Sequence, residues 1–436
     1  MSQIRTKPES TEPQPPQDRA WNKSSLIATA GVVVEFYDFM LFGYLTMVWT
    51  AVFFPSDDQI LSFIFVWSTF AVGMAMRPLG GIFFGYFGTR FGRKRSLQVS
   101  VVLMSVPMLI TACLPSFQSI GIIAPIIVVL MRMVQGFSVG GEYSGSVVYL
   151  VEQAPSNKRG MLANSANGAS GFGALLASIV VGILVGTLST EAINSWGWRI
   201  AYLLGGLLVI LAILMRRHME ESEAYLDTKE KNELPATPLR SAVKAEWRKM
   251  LVAMVITGYA VSSFFFTLNY LPAFLQTIDD RPEAETLVLA AVLSAIFAFT
   301  APFWGSVGDR FGRKAPMIVA AGSLLILAWP VFKLISHPSI LLMYIAAIIL
   351  LIPTMMYWGG FSPAVVEMFD KKHRFAAVGI SYNMGAAIFG GTSGVIVTAL
   401  ADWIDPVLGP ALFLAPFSAV TLILCLKLKE TAGKSL

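Results

Sequence analysis

The chain has few charged side chains for its length. Asp, Glu, Lys and Arg make up 14% of its 436 residues, against about 25% in an average soluble domain. Apolar residues make up 55%, more than a soluble domain could cover with polar surface. The composition therefore excludes an ordinary soluble enzyme or binding domain and indicates a membrane protein.

Residues that carry metal, redox or hydrolytic chemistry are also scarce. The two cysteines, Cys113 and Cys425, lie inside apolar runs and lack metal-ligand spacing, so we predict no disulfide, no metal site and no cofactor. His218, His337 and His373 lie at span ends or in loops, and no nucleophile has a paired base. We therefore do not predict an enzyme.

The excess of basic residues does not indicate a nucleic-acid partner. The net charge of +5 comes from Lys and Arg in short loops, and no basic face with interleaved aromatic residues is present. No cleavable signal peptide precedes the first apolar run. Since Lys and Arg gather on the cytoplasmic side of membrane proteins, we expect both termini to be cytoplasmic in a plasma or bacterial inner membrane.

Long apolar runs dominate the rest of the sequence. Twelve of them are long enough to cross about 30 Å of hydrocarbon, which takes about 20 helical residues. We predict an all-α membrane protein with twelve transmembrane helices in two pseudo-symmetric six-helix halves. The predicted divisions are a disordered tail at 1–20, a first half at 21–215, a cytoplasmic linker at 216–249, a second half at 250–428 and a tail at 429–436.

Two repeats indicate that the halves arose by duplication. The basic, glycine-rich stretch GYFGTRFGRK at Gly85–Lys94 returns at Gly305–Lys314 as GSVGDRFGRK, with seven of ten positions identical at an offset of 220 residues. We interpret both copies as loops. A second repeat consists of two Glu/Arg pairs with the same separation, Glu152 with Arg159 and Glu367 with Arg374.

Motifs along nearly the whole chain resemble the major facilitator superfamily, and more closely its metabolite:proton symporter branch. They are GVVVEFYDFMLFG (Gly31–Gly43), RPLGG (Arg77–Gly81), RMVQGFSVGGEYSG (Arg132–Gly145), SWGWR (Ser195–Arg199) and EMFDKKHR (Glu367–Arg374). The resemblance implies a monomer in which two rigid halves alternate around a site near the bilayer midplane. It also implies uptake of osmolytes such as proline and betaine, or of organic acids such as citrate.

Ionisable side chains within the spans mark a solute or proton path. The first half holds Glu35, Asp38, Arg77, Arg132 and Glu142 in its spans, and the second half has none at comparable depth. This asymmetry places proton chemistry in the first half.

The predicted proton-coupling residues are Glu35, Asp38 and Glu142. Glu35 and Asp38 are three residues apart, so they share one helix face and can carry one proton between them. The alternative is that a buried arginine pairs with either carboxylate permanently. For Glu142 a proton relay and an ion pair both remain open.

The predicted substrate-binding residues combine two arginines with neutral polar and aromatic groups. Arginine offers a planar donor fork that suits a solute carboxylate, although a structural ion pair is the alternative for Arg132. An aromatic wall would bind a quaternary ammonium or stack on a planar acid, although most membrane aromatics pack or lie at the interface. The candidates are Arg132, Gln135, Tyr37, Arg77, Tyr259, Asn269, Tyr357, Trp358 and Asn383.

The resemblance also implies a cytoplasmic gate around the repeated stretch. In the superfamily, an Asp of this stretch faces the N-terminal end of a helix in the opposite half, where the helix dipole favours a carboxylate. This chain keeps Asp309 but has Thr89 in the first copy, which predicts a lopsided latch. The gate candidates are Thr89, Arg90, Arg93, Glu152, Arg159, Asp309, Arg310, Arg313, Glu367 and Arg374.

Glycines at small-xxx-small spacing predict close helix packing rather than phosphate binding. The pairs are Gly136 with Gly140, Gly141 with Gly145, and Gly390 with Gly394.

Taken together, these features predict a proton-coupled symporter of a small polar solute that carries a carboxylate. Its partners would be the solute, the proton and the lipid bilayer. A proton-driven exporter of small amphipathic compounds is the alternative within the same class. A non-transporting sensor would be expected to carry a long soluble signalling domain, and the sequence contains none.

Overall fold

The computed structural model describes residues 23–231, 237–278 and 280–434, and these residues form helices and turns without a strand. The tail predicted at 1–20 lies outside this range. Twelve of the described helices are long and apolar enough to cross a membrane, which confirms the predicted all-α fold. They are α1 (Ser25–Tyr44), α2 (Leu61–Phe91), α3 (Arg93–Cys113), α4 (Ile123–Gln153), α5 (Arg159–Thr187), α6 (Thr190–Arg216), α7 (Pro238–Gln276), α8 (Glu283–Phe311), α9 (Lys314–Ile335), α10 (Ile340–Glu367), α11 (Arg374–Trp403) and α12 (Leu408–Lys427).

The polar stretch at 216–249 contains helical residues as well as turns. A short helix at Glu223–Glu230 follows α6, and α7 begins at Pro238 rather than near residue 250. Proline is favoured in the first helical turn, where its missing N–H costs no hydrogen bond. The charged start of α7 therefore extends the seventh span beyond its apolar part.

The glycine content of the repeated stretches had suggested loops, but neither stretch is a loop. Helix α2 continues through Phe91, and only Gly92 separates it from α3. In the second copy, Gly312 and Arg313 separate α8 from α9. The φ angles of Gly92 and Gly312 are 109° and 89°, a region that glycine enters at little cost. Each stretch is thus a sharp corner between two helices.

Close contacts between helix backbones join the halves. Gly160 of α5 lies against Gly305 of α8, and Gly81 of α2 lies against Gly379 of α11. A methyl group at any of the four would meet the backbone of the facing helix. Within the first half, Gly140 of α4 packs against α2 in the same manner. The small-residue faces therefore serve packing, as the spacing predicted.

We expect Gly140→Ala to destabilise the protein. The added methyl group would meet the backbone of Arg77, Gly80 and Gly81, which cannot move aside as a side chain can. Such overpacking lowers the free energy of unfolding by about 1–3 kcal/mol. The measurement is the midpoint of thermal unfolding of the purified protein in detergent.

Gly182→Ala is the matched control, because nothing lies within 4 Å of the added methyl group. Alanine is the better helix former by about 0.8–1.0 kcal/mol, so this midpoint should hold or rise. Equal losses in the two variants would contradict the packing argument.

Candidate functional site

Asp38 and Arg132 form a buried pair between α1 and α4. Arg132 Nη1 lies 3.3 Å from Asp38 Oδ2, and its Nη2 donates to the hydroxyl of Tyr202 at 2.8 Å. Arg132 also donates to the side-chain oxygen of Gln135, and its guanidinium lies 4.2 Å from the ring centre of Phe42. The carboxylate of Asp38 therefore faces a guanidinium held by three further contacts.

Glu35 is less well partnered than Asp38. Its Oε1 lies 3.7 Å from Arg77 Nη2, and neither carboxylate oxygen has a hydrogen-bond partner among the described residues. Arg77 Nε donates to Asn383 Oδ1 at 3.3 Å, and Asn383 Nδ2 donates to the carbonyl of Gly140 at 2.6 Å. Since Asn383 belongs to α11, the environment of Glu35 extends into the second half.

Glu142 pairs with an arginine that the sequence analysis had counted with the polar linker. Arg216 is only 1% exposed and donates from both terminal nitrogens to the carboxylate of Glu142. Ser100 Oγ donates to Glu142 Oε2 at 2.6 Å, and Arg216 also donates to the carbonyl of Leu97. All four residues belong to the first half, so of the two alternatives for Glu142 the geometry matches the ion pair.

A small cavity lies between the halves. Its volume is about 10 Å³, roughly that of one water-sized sphere, so the occluded arrangement has no room for a solute. First-half residues that line it include Phe36, Tyr143 and Asn167, and second-half residues include Phe265, Trp358 and Tyr382. Glu35 is adjacent to Phe36 in sequence, and Arg77 lies 5.9 Å from the ring centre of Tyr382.

The structure brings only some of the predicted aromatic residues to this cavity. Trp358 lines it and donates from its ring nitrogen to the carbonyl of Ala260 at 3.1 Å. Tyr259 and Tyr357 pack against each other within the second half, 4.7 Å between ring centres. Tyr37 donates to the carbonyl of Ala201 at 2.8 Å within the first half. These three tyrosines do not line the cavity.

Asn269 lies at a closure near the end of the bundle where α1 ends. Its side chain lies against Gly43, leaving no space for a methyl group there. Nearby, the hydroxyl of Tyr44 donates to the carbonyl of Leu268 at 2.9 Å. Both contacts join α1 to the π-helical turn Phe266–Tyr270 in α7 and so link the halves.

The other closure lies at the basic face, which we define as the end of the bundle with Arg93, Arg159, Arg313 and Arg374. Asp309 of α8 accepts hydrogen bonds from the backbone N–H of Gly160 at 2.8 Å and of Met161 at 2.9 Å. These groups are the first turn of α5, where free N–H groups and the helix dipole favour a carboxylate. Asp309 thus joins the halves as the resemblance implied.

Thr89 makes no equivalent contact. Its hydroxyl donates to the carbonyl of Gly85 in its own helix at 2.7 Å. Gly85 and Gly88 lie against Ala376 and Phe375, the start of α11 in the second half. The N-terminal end of α11 is therefore close to α2 but receives no carboxylate from Thr89.

Glu367 lies between an arginine of its own half and one of the other half. Arg313 donates to it through Nε at 3.1 Å and Nη2 at 2.9 Å, while Arg159 Nη1 lies 3.8 Å away. Arg313 Nη1 also donates to Asp309 at 2.7 Å. Arg313 therefore connects the two acidic residues of this side.

Glu152 holds the corresponding position in the first half. Arg93 Nε lies 3.8 Å from Glu152 Oε2, and Arg374 Nη1 of the second half lies 3.6 Å from Oε1. The guanidinium of Arg93 also lies 4.8 Å from the ring centre of Phe375. Both arginine contacts of Glu152 are longer than those between Arg313 and Glu367, but the contact that crosses between the halves has a similar length on the two sides, 3.6 Å at Glu152 and 3.8 Å at Glu367.

The sequence analysis missed a clamp after α6. Glu221 Oε1 accepts from the backbone N–H of Arg93 at 2.8 Å and of Lys94 at 3.1 Å, at the start of α3. The hydroxyl of the next residue, Ser222, donates to Glu152 Oε2 at 2.8 Å.

The clamp is repeated after α12. Glu430 accepts from the backbone N–H of Arg313 at 2.9 Å and of Lys314 at 3.2 Å, while Thr431 donates to Glu367 at 2.7 Å. Burial acts to raise the pKa of Glu430, but hydrogen bonds from backbone N–H groups outweigh it and lower the pKa below its usual value. A search for Glu-Ser/Thr pairs after the sixth and twelfth spans could have found both clamps.

Two hydrogen bonds of α5 also cross between the halves. Asn164 Nδ2 donates to the carbonyl of Gly359 at 3.3 Å, and Asn167 Nδ2 donates to Ser362 Oγ at 2.8 Å. Tyr143 in turn donates to Asn167. No sequence motif singled out these residues.

Two of the gate candidates lie outside these clusters. Arg90 and Arg310 are exposed, and their guanidinium groups lie beside the rings of Tyr86 and Phe311 in their own helices. The other eight gate candidates lie together at the basic face, and these two arginines do not take part in their contacts.

Two matched six-helix halves, closed at both ends around a small internal space, define a two-domain membrane transporter fold. A family model described as Sugar (and other) transporter matches residues 24–244, and one described as Major Facilitator Superfamily matches residues 270–435. The ectoine/proline transporter ProP of Corynebacterium glutamicum is 31% identical over 423 residues, covering 93% of this chain and 83% of its own. The citrate-proton symporter of Klebsiella pneumoniae is 29% identical over 396 residues, covering 91% and 88%. The chain belongs to the major facilitator superfamily.

Solved structures show the same fold. The proton:xylose symporter XylE bound to 6-bromo-6-deoxy-D-glucose has a TM-score of 0.79 at 18% identity, covering 95% of this chain and 97% of that one. The TM-score is 0.75 for XylE from E. coli in a partially occluded inward-open conformation and 0.66 for the same protein in an inward-open conformation.

We expect Glu142→Gln to destabilise the protein strongly. The change leaves Arg216 as a buried charge without its partner, which costs about 3–5 kcal/mol of the free energy of unfolding. The midpoint of thermal unfolding in detergent measures the loss. The double variant Glu142→Leu/Arg216→Met removes both charges and should recover most of it. A double variant as unstable as Glu142→Gln would contradict the structural role of the pair.

Proposed function

We propose that the protein is a proton-coupled symporter of a small carboxylate-bearing solute, an organic acid or a zwitterionic osmolyte such as proline or betaine. The observation that carries the proposal is the pair of carboxylates on α1, Glu35 and Asp38, each beside a buried arginine. Relatives named as proline/betaine transporters and as a citrate-proton symporter support this solute class.

Charge balance explains how proton and solute would move together. Glu35 and Asp38 each offset the charge of one arginine, Arg77 and Arg132 respectively. A proton on either carboxylate leaves its arginine without a counter-charge, which is costly in a buried site. A solute carboxylate can then restore the balance by binding the guanidinium. Proton and solute therefore favour each other's binding, as symport requires.

Glu35 is the stronger candidate for the proton that moves. Its oxygens lack hydrogen-bond partners, whereas Asp38 accepts a hydrogen bond from Arg132. A protonated carboxyl also gains an O–H donor, which an ionised one lacks. Because Arg77 donates to Asn383 across the halves, a change at Glu35 would reach the contact that must break when the halves part.

Alternating access would operate through the two closures. The basic face is assigned to the cytoplasm because Lys and Arg favour that side, so its opening would release solute inward. The closure at Tyr44 and Asn269 would then face outward. Solute binding requires one closure to part, because the occluded cavity of about 10 Å³ is too small for it. A monomer in the plasma or bacterial inner membrane suffices for this cycle.

Two other functions have less support. A proton-driven exporter would move protons and solute in opposite directions, whereas the citrate relative is a citrate-proton symporter, which moves both in the same direction. A membrane enzyme would need a nucleophile with a paired base, and the chemistry around α1 consists of carboxylates paired with arginines.

We expect purified protein in liposomes to accumulate proline, betaine or citrate only under an inward proton gradient. Glu35→Gln and Asp38→Asn should abolish this accumulation, because neither side chain can then exchange the proton. Counterflow exchange of labelled solute should persist in Glu35→Gln, since exchange needs no net proton transfer. The measurement is radiolabelled uptake at matched protein content.

Glu230→Gln is the matched control, because it removes an exposed carboxylate far from α1 and should leave uptake unchanged. Accumulation at the normal level in both α1 variants would exclude them as coupling residues. Gradient-driven efflux of amphipathic compounds, with none of the three solutes taken up, would favour the exporter instead.

We expect Thr89→Asp to strengthen closure at the basic face. A carboxylate there could accept from the first backbone N–H groups of α11, a contact worth about 0.3–1 kcal/mol near the surface. The variant should show a lower maximal uptake rate and slower alkylation of cysteines introduced on the basic face. Asp309→Asn should change both quantities in the opposite direction.

Thr89→Val serves as the control, since it removes the hydroxyl bond to Gly85 without adding charge. If Thr89→Asp left both uptake kinetics and alkylation unchanged, the lopsided latch would be wrong.

A further inference from the structure

A group of possible metal ligands lies at the basic face, away from the carboxylates of α1. Glu246 belongs to α7, and Asp370 and His373 belong to the turn between α10 and α11. One ligand atom from each of the three lies within 4.8 Å of the others. Glu246 is distant in sequence from Asp370 and His373, which is why no ligand spacing pointed to the group.

His373 has an unused ring nitrogen. The side chain is 5% exposed, and its Nε2 forms a hydrogen bond of 2.8 Å with the hydroxyl of Ser241. Its Nδ1 is buried and has no hydrogen-bond partner among the described residues. Buried polar atoms nearly always have a hydrogen-bond partner, so one that lacks a protein partner points to a bound water or ion. Glu246, 4% exposed, is buried beside it.

Charges of both signs surround the group, because Lys372 and Lys249 act on His373 as well as Glu246 and Asp370. Lys249 Nζ lies 2.8 Å from Glu246 Oε2, so a cation would bind the other carboxylate oxygen or displace this exposed lysine. Lys371, in the same turn as His373, is held by Asp227 at 2.5 Å. Hydrogen bonds from Lys231 and Lys371 lower the pKa of Asp227 to about 2, so the partner of Lys371 is ionised at neutral pH.

The donor set indicates which ions would bind. One imidazole with two carboxylates suits Zn²⁺ and Ni²⁺, whereas Mg²⁺ and Ca²⁺ prefer oxygen ligands alone. The bond between Ser241 and His373 would fix the ring orientation, as outer partners of metal-bound histidines commonly do.

We propose that Glu246, Asp370 and His373 bind a divalent transition-metal ion and thereby fasten the turn between α10 and α11 to α7. The site is separate from the proposed transport chemistry, since its residues belong to α7 and to the turn between α10 and α11, whereas Glu35 and Asp38 belong to α1. Its position has a consequence for the basic face, because the residue after His373 is Arg374, which pairs with Glu152 of the other half. A bound ion would therefore restrain the start of a helix that takes part in the closure.

Equilibrium dialysis of chelator-treated, full-length protein in detergent against Zn²⁺ tests the site. We expect one ion per wild-type chain and affinity reduced by at least about tenfold in His373→Gln and in Glu246→Gln. Hydrogen exchange provides a second readout. Zn²⁺ should slow exchange in the turn at 368–373 of the wild type and should not do so in His373→Gln.

His337→Gln is the matched control. His337 is a histidine at the other end of the bundle, where its Nδ1 accepts from the backbone N–H of Ser339 at 3.0 Å. This variant should bind Zn²⁺ as the wild type does, and melting without metal verifies that each variant is folded. Stoichiometric binding that survives in folded His373→Gln would overturn the proposal. So would the absence of binding by the wild type at 1 mM Zn²⁺, taken as about the weak limit of protein cation sites.

Discussion

A charge buried among apolar helices must have a partner of opposite sign, and this requirement organises the first half of the molecule. Three carboxylates and three arginines lie there as pairs that differ in quality. The pair at Glu142 is hydrogen-bonded from both arginine nitrogens and by Ser100. The pair at Asp38 has one hydrogen bond. The pair at Glu35 has none, because its closest nitrogen and oxygen atoms lie 3.7 Å apart. Protonation of a carboxylate costs more when more donors bond to it. The gradation supports the proposal that Glu35 carries the moving proton, with Glu142 in a structural ion pair.

The contacts at the basic face divide in a way that suits two bodies that move. Several contacts within a half are short, as between Glu430 and the start of α9, or between Arg313 and Glu367 at 2.9 Å, although Arg93 and Glu152 lie 3.8 Å apart. The arginine–carboxylate contacts that cross between halves are longer, at 3.8 Å for Arg159 and 3.6 Å for Arg374. Both separations exceed hydrogen-bond range, so these buried pairs lack the hydrogen bonds that strengthen a close ion pair. Short hydrogen bonds also cross at this face, two to Asp309 and one from Arg159 to the carbonyl of Lys434 at 2.6 Å, and parting of the halves there requires their release.

The sequence was sufficient for the span count, the duplication, the family and the charged residues of α1. It could not decide which face of each helix is turned inward, because lipid and protein interior are both apolar and the helices are apolar on all sides. For that reason Tyr357 was grouped with Trp358, although only Trp358 reaches the cavity. Arg216 was counted with the linker because a basic residue at the end of a span usually marks topology. The stretch at Gly85–Lys94 was interpreted as a loop because the composition of a corner formed by a single glycine resembles that of a longer loop.

The closed centre of the molecule has a consequence for the energy supply of the cell. The cavity lined by Phe36 and Trp358 has space for about one water-sized sphere, whereas a proton relay through water needs a continuous file of such molecules. In the proposed cycle, this closed arrangement would limit proton leak while no solute is bound. A membrane could then carry many copies of the transporter and keep its proton gradient, because in that cycle the proton crosses only together with a solute.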